Sequence, residues 1–292
     1  MRVIAVSEDS IDEPLAQKER LLRELLQSMG SVLVAFSGGT DSAYLLAESL
    51  AVLGADNVLA VTADAPIHPR REILEAIALA ERLGSRHLLI QLPVLDDAAF
   101  AANPPERCYH CKRGLLVRLG RVAREQGVAF VVHGANADDA ADYRPGQRAA
   151  EEMGTRAPLA EVGLTKAEIR ALSRAMGLPT WDKPSQACLA SRFPYGTPIC
   201  EQDLARVERA EEFLRSEFGL RQVRVRHFGA LAKVECEVEN WPALLDDAAR
   251  AHVLRVFKEL GYVHVALDLA GYRSGSMNEM LSVREGDANG RT

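Results

Sequence analysis

Apolar residues recur at Leu15, Leu22, Leu25, Leu26 and Met29, a spacing that makes one helical face. Gly30 closes that run. Val32-Leu33-Val34-Ala35-Phe36 follows, too short for a helix standing alone and suited to a buried parallel strand. It runs into Ser37-Gly38-Gly39 and a helical pattern over 43–53. The alternation repeats with strands over 57–62, 87–92 and 128–133. Helices lie between them, one over 69–83 and one that follows the 104–112 stretch and ends near 126. Pro69 before the first of these helices and Gly84 after it are ordinary helix punctuation. Strands alternating with helices of this length predict an α/β fold with a doubly wound parallel sheet. A short helix is expected over 165–176, where Thr165 and Glu168 make a capping box.

The pattern then changes. Residues 178–199 carry four prolines and read as a long ordered loop joining two domains. A helix over 201–218 follows, then strands over 222–227 and 231–238 around a tight turn at Gly229-Ala230. A helix over 242–260 and a strand over 263–267 complete a smaller α+β domain with a mostly antiparallel sheet. The expected boundaries are 1–183, 184–275 and a flexible tail over 276–292.

Composition narrows this picture only slightly. The 292 residues suffice for two domains, and 48% hydrophobic with 26% charged content is ordinary for a globular protein. A formal net charge of −6 argues against a nucleic-acid partner. No apolar run has the length of a membrane span, and the N-terminus turns acidic too early for a signal peptide. Five cysteines do not suggest a disulfide framework, so a cytoplasmic location is expected.

Ser37-Gly38-Gly39-Thr40-Asp41-Ser42 is the first stretch that carries chemistry. Glycines let backbone N–H groups converge on an anion, and the following helix points its positive end at the same place. Ser37, Thr40 and Ser42 add hydroxyls, and Asp41 could hold Mg²⁺. The spacing is neither a Walker loop nor a dinucleotide fingerprint. It resembles the pyrophosphate loop of the ATP pyrophosphatases, which split ATP into AMP and pyrophosphate. The alternative is an ordinary strand-to-helix turn. Thr62 and Gly134 end two other strands on the side where such sheets bind ligands.

Cys188 lies in the proline-rich loop, with Lys183 five residues before and Arg192 four after, and nearby cations favour a thiolate. An inert buried thiol is the alternative. Cys108-x-x-Cys111 fits half a zinc site, a redox pair, or two cysteines tolerated at a helix start. Arg224 and Arg226 share one strand face and suit a phosphate or carboxylate, unless that face is merely solvated. Glu212 and Glu235 are acids of the same domain that could hold a metal.

Further motifs sharpen the resemblance: Glu106-Arg-Cys-Tyr-His-Cys-Lys112, Asn136-Ala-Asp-Asp139 with Asp142-Tyr-Arg-Pro-Gly146, Trp181-Asp-Lys-Pro184, Ala187-Cys-Leu-Ala-Ser-Arg192 and Gly271-Tyr-Arg-Ser-Gly-Ser-Met-Asn278. Together they resemble the LarE branch of the ATP pyrophosphatases, the sacrificial sulfur transferases of nickel-pincer nucleotide cofactor synthesis. The resemblance implies adenylation of the carboxylates of pyridinium-3,5-biscarboxylic acid mononucleotide, with ATP and Mg²⁺. It implies attack by Cys188 as thiolate, then loss of its sulfur to leave dehydroalanine. Arg192, Arg224 and Arg226 become the expected substrate ligands. A homo-oligomer and a functional link to a carboxylase and a nickel-insertion protein are implied too. Some relatives carry an iron–sulfur cluster on three cysteines; Cys188, Cys200 and Cys236 lie in the corresponding half. A tRNA thiolase, an amide-forming ligase and a non-catalytic nucleotide-binding regulator are the competing functions.

Overall fold

The computed structural model describes residues 13–141, 145–273 and 275–276. The Asp142–Arg144 part of the polar loop, the N-terminal stretch and the tail expected from 276 onward, apart from Ser276, lie outside them. In chain order the elements are α1 (Glu13–Met29), β1 (Val32–Ala35), α2 (Thr40–Leu53), β2 (Val58–Asp64), α3 (Arg70–Arg82) and β3 (Arg86–Gln91). Then come α4 (Ala98–Ala101), α5 (Arg107–Glu125), β4 (Phe130–His133), α6 (Pro145–Glu152), α7 (Pro158–Glu161) and α8 (Lys166–Ala175). The last are α9 (Glu201–Phe218), β5 (Val223–Phe228), β6 (Leu231–Cys236), α10 (Trp241–Leu245), α11 (Asp247–Glu259) and β7 (His264–Leu267).

Two compact units divide the chain. The first comprises Met1–Asp64, Arg71–Gln91 and Lys112–Lys183; the second comprises Ala65–Arg70, Leu92–Cys111 and Pro184–Thr292. In the first, four parallel strands run in the order β3-β2-β1-β4. Side-chain alternation along β1 sends Val32 and Val34 into a core with Leu22, Leu26, Leu45, Ala76 and Leu172. Leu33 goes the other way, against Leu116, Leu119 and Ala123 of α5. Helices therefore cover both faces, as near-continuous apolar strands require. Strand order reverses direction between β1 and β4, and the ends of these two strands form the switch point where such sheets bind ligands. The capping box of α8 is present, with Thr165 Oγ1 accepting from Glu168 N–H and Glu168 accepting from Thr165 N–H.

The second unit has a three-stranded sheet in the order β5-β6-β7. β5 and β6 are antiparallel, whereas β6 and β7 are parallel, so the sheet is mixed rather than mostly antiparallel. The helical crossover through α10 and α11 returns the chain in the same direction, which a hairpin cannot do. The helix expected over 242–260 is broken at Asp246, whose carboxylate accepts from Ala248 and Ala249 N–H and starts α11 afresh. The strand expected to reach 238 stops at Cys236, and a single helical turn over Val238–Asn240 follows. Ala210, Leu214, Val223, Val225, Val234 and Phe257 form the core.

Candidate functional site

The first unit holds an anion cradle at the end of β1. α2 begins at Thr40, so Thr40, Asp41 and Ser42 form its first turn, and no side chain caps its N-cap residue Gly39. No side chain of the N-cap residue therefore occupies the start of this helix, which suits an anion. Gly38 has φ +68°, and a Cβ there would lie 2.8 Å from the Ala76 Cβ. Gly134, just past β4, approaches the cradle so closely that a Cβ would lie 2.9 Å from Ser42 N. Only glycine permits either approach. Ser37 Oγ and Ser42 Oγ are 3.0 Å apart, and Ser42 Oγ donates to the Gly39 carbonyl.

Two lysines support this turn: Lys166, which sequence reading passed over, and Lys183, which it had set beside Cys188 instead. Lys166 Nζ donates to both oxygens of Asp41 at 2.7 Å. Lys183 Nζ donates to the Gly38 carbonyl at 3.3 Å and pairs with Glu72 and Glu75 at 2.6 and 2.9 Å. Thr40 Oγ1 donates to the Thr180 carbonyl at 2.7 Å. The Trp181-Asp182-Lys183 motif is thus a brace for the cradle. Thr62 is 4% exposed; its hydroxyl donates to the Phe36 carbonyl and meets His87 Nε2 at 2.9 Å. Its side chain holds the end of β1 rather than facing a ligand. His133, the last residue of β4, is buried, and burial together with Lys112 pushes its pKa down to about 3.

The second unit holds the cysteine loop. Cys188 is half-buried and precedes one helical turn over Leu189–Arg192. Arg192 is 0% exposed, so it reaches no ligand in this arrangement, contrary to the expectation for it. Its Nε and Nη2 donate to Glu211 at 2.8 and 2.9 Å, and its Nη1 donates to the carbonyls of Ala187 and Cys188. Burial opposes its charge, but Glu211 more than restores it, and the pKa stands above the ordinary value. For Glu211, burial alone would raise the pKa; Arg192, with Arg215 and Arg224, brings it down to about 2. Arg226 donates to Glu235 at 2.9 and 2.7 Å and to the Ser191 carbonyl at 2.9 Å.

β5 is buried on both faces, which removes the solvated-face alternative for Arg224 and Arg226. Arg224 differs from its neighbours. It is 2% exposed, its one hydrogen bond among the described residues goes to the Val223 carbonyl, and its guanidinium lies 5.2 Å from the Tyr272 ring. Burial and the charge of Arg192 lower its pKa to about 10. A buried guanidinium with no carboxylate hydrogen-bonded to it is a site prepared for an anion.

The expected metal acids do not come together. Glu212 points outward from α9 and is exposed, while Glu235 is 0% exposed and bound to Arg226 and Lys233. Helical periodicity turns Glu211, not Glu212, onto the stripe of Leu204, Val207, Ala210 and Leu214. An acid on that apolar stripe was the signal that could have found it. Among the described residues no group of three or more His, Cys, Asp or Glu could hold a metal ion.

Cys236 is buried in the core, and Cys200 is exposed with its thiol 3.2 Å from Asp203, so these two do not join Cys188 as a cluster set. Cys108, at the start of α5, is the thiol that senses Cys188. Desolvation raises its pKa, and charge on Cys188 raises it further, although the residue keeps exposed surface. The cysteine loop continues into a turn latched by Asn103. This residue has φ 56°, is 0% exposed, and donates to the carbonyls of Pro194 and Thr197 at 2.8 and 3.0 Å.

A family model described as NAD synthase matches residues 15–119, which include the cradle. A pyridinium-3,5-bisthiocarboxylic acid mononucleotide synthase of Lactiplantibacillus plantarum is 38% identical over 268 residues, 92% of this chain and 96% of that protein. An uncharacterized protein of Synechocystis is 41% identical over 268 residues, 92% of this chain and 99% of its own. An NH3-dependent NAD+ synthetase of Hyperthermus butylicus is 35% identical over 94 residues, 30% of this chain and 34% of its own.

Proposed function

This chain belongs to the LarE family, the pyridinium-3,5-bisthiocarboxylic acid mononucleotide synthases, and we propose that Cys188 is its sacrificial sulfur donor in nickel-pincer nucleotide cofactor synthesis. ATP adenylates a carboxylate of pyridinium-3,5-biscarboxylic acid mononucleotide and pyrophosphate leaves. Adenylation turns a carboxylate oxygen into a good leaving group, and the Cys188 thiolate displaces AMP to form a thioester. Breakage of the Cβ–S bond then hands sulfur to the substrate as a thiocarboxylate and leaves dehydroalanine. The second carboxylate requires a second donor event. The observation that carries this reading is the loop itself: a half-exposed thiol on backbone pinned by Arg192 and Arg226, with a buried Arg224 that hydrogen-bonds no carboxylate among the described residues.

Ser37, Gly38, Gly39, Thr40, Asp41, Ser42 and Gly134 form the proposed pyrophosphate site, with Thr62 supporting it. Asp41 is a hard oxygen donor of the kind Mg²⁺ takes, and Lys166, which now engages both of its oxygens, would have to give way for the ion. Bound there, the ion would neutralise phosphate charge. Arg224 is the proposed ligand for the substrate's phosphate or carboxylate, and Arg226 flanks it while holding Ser191. A cytoplasmic homo-oligomer working with a carboxylase and a nickel-insertion protein completes the reading. Among the described residues no helix is long and apolar enough to cross a membrane.

The test is the intact mass of the protein after incubation with ATP and the pyridinium substrate. Loss of one H₂S per chain, mapped to Cys188, is expected. Thiocarboxylate product formed with an unchanged protein mass overturns the proposal. A second reading is an iron–sulfur-dependent, multiple-turnover version of the same reaction, favoured by the charge of Cys188 acting on the Cys108 thiol. Iron content and visible absorbance of anaerobically purified protein decide it; iron-free protein yielding one sulfur per chain eliminates it.

A further inference from the structure

Three donors converge on the carbonyl oxygen of Cys188. Ser191 N–H donates at 3.0 Å, Ser191 Oγ at 2.8 Å and Arg192 Nη1 at 2.9 Å. The first belongs to the helical turn over Leu189–Arg192 and needs no further account. The other two are additions, and one of them is charged. Arg192 is 0% exposed and fixed by two further bonds to Glu211. Ser191 is fixed in turn by Arg226, which donates to its carbonyl at 2.9 Å. The carbonyl of Cys200, likewise an N-cap residue, accepts Leu204 N–H at 3.1 Å and, among the described residues, no side-chain donor. A neutral amide oxygen gains little from such a surplus of fixed donors, whereas an oxygen that acquires negative charge gains much.

We infer that Ser191 and Arg192 form an oxyanion hole for the enolate that develops on the Cys188 carbonyl as sulfur is released. The inference rests on the reading of Cys188 as sulfur donor. In the thioester, a solvent-borne base takes the Cα proton of Cys188, which is half-exposed. The C–H electron pair delocalises onto the carbonyl oxygen as an enolate and then becomes the Cα=Cβ bond. The Cβ–S bond breaks, and sulfur keeps that pair and leaves as the thiocarboxylate anion. No oxidant or reductant enters. A peptide Cα–H is a weak acid, so the charge on the oxygen is the costly part of the step. A preorganised guanidinium and hydroxyl lower that cost without rearrangement. On this account the burial of Arg192 is functional: its Nη1 faces an oxygen of the chain itself, not a ligand.

Ser191 is the residue to change, since altering Arg192 would also strand Glu211. Pyrophosphate release and intact mass are followed in one single-turnover experiment. Ser191→Ala should release pyrophosphate at the wild-type rate and accumulate chain bearing substrate as thioester. It should form the H₂S-deficient chain about ten- to a hundredfold more slowly. Ser191→Thr should restore the rate. Dehydroalanine formation at the wild-type rate in Ser191→Ala, or equal slowing of both steps, overturns the inference.

A second arm needs neither ATP nor the pyridinium substrate. Cysteines are derivatised with a 2,4-dinitrophenyl group, a good thiolate leaving group, and elimination in mild base is followed by peptide mass. Cys188 should eliminate at least about tenfold faster than Cys200 of the same chain, and Ser191→Ala should bring the ratio close to one. Equal rates in the wild type overturn the oxyanion hole. A large ratio in protein that shows no mass change with ATP and substrate retains the oxyanion hole and removes only the donor reading.

Discussion

The anion cradle of the first unit and the cysteine loop of the second are both stretches of irregular backbone, but different forces hold them. The cradle uses backbone N–H groups, small hydroxyls and two glycines whose neighbours leave no room for a Cβ; its lysine braces, Lys166 and Lys183, keep part of their surface in solvent. The cysteine loop hangs on two ion pairs, Arg192–Glu211 and Arg226–Glu235, that are almost wholly buried. A site that binds and releases phosphates repeatedly works with partners that water can replace. On the proposed mechanism the cysteine loop must hold one carbonyl and one thiol steady through an elimination, and pairs that are costly to break serve that better.

The largest expected effect is that of Cys188→Ser, which should reduce thiocarboxylate formation to background while leaving pyrophosphate release on substrate addition. Loss of both together would mean that the two regions do not divide the work. Gly134→Ala should act at the earlier step, cutting pyrophosphate release, and thiocarboxylate formation with it, by about 10²-fold or more, because the added methyl would sit 2.9 Å from Ser42 N. Glu211→Gln should destabilise the second unit by roughly 3–5 kcal/mol, measured by urea unfolding, since it leaves Arg192 buried and unpaired. Arg224→Gln should lower the melting temperature far less than Glu211→Gln, because among the described residues no carboxylate is hydrogen-bonded to Arg224, yet should raise KM for the pyridinium nucleotide by roughly ten- to a hundredfold. A fall in Tm matching that of Glu211→Gln would place Arg224 among the scaffold cations.

Acid should separate the two regions more gently. His133 has a folded pKa of about 3 against an ordinary 6.5, so its contribution is complete above pH 6.5 and is lost as pH falls towards 3. The slope is about 1.4 kcal/mol per pH unit. Glu211, at about 2 against an ordinary 4.5, contributes fully above pH 4.5 and loses that contribution as pH falls towards 2. Urea midpoints between pH 7.5 and 4.5 should therefore flatten in His133→Asn and keep their slope in Glu211→Gln.

Short-range signals in the sequence were reliable. The α1 stripe, the β1–turn–α2 cradle, the capping box at Thr165 and the span of α9 over Glu201–Phe218 are set by neighbours a few residues apart, and the structure shows each of them. The break at Asp246 was equally local but hidden, because one helical stripe ran through it. In sequence Arg192, Arg224 and Arg226 looked alike as ligands for a phosphate or carboxylate. In the structure one lies under the cysteine loop, one clamps Glu235 and Ser191, and one is left without a carboxylate. Glu212 was a plausible ligand and Glu211 an unremarked neighbour until the helix phase turned them apart.

The sequence by itself determined the family, the parallel sheet and the turn between β1 and α2, and it singled out Cys188 as the proposed donor, because periodicity, turn chemistry and motif spacing are written over short stretches. Only the tertiary structure decided what each charged group does. Lys166 meets Asp41 across 125 residues, Arg226 meets Ser191 across 35, and Arg192 meets Glu211 across 19. A charge's role depends on its desolvation and on its partner, and both are properties of residues that only folding makes neighbours.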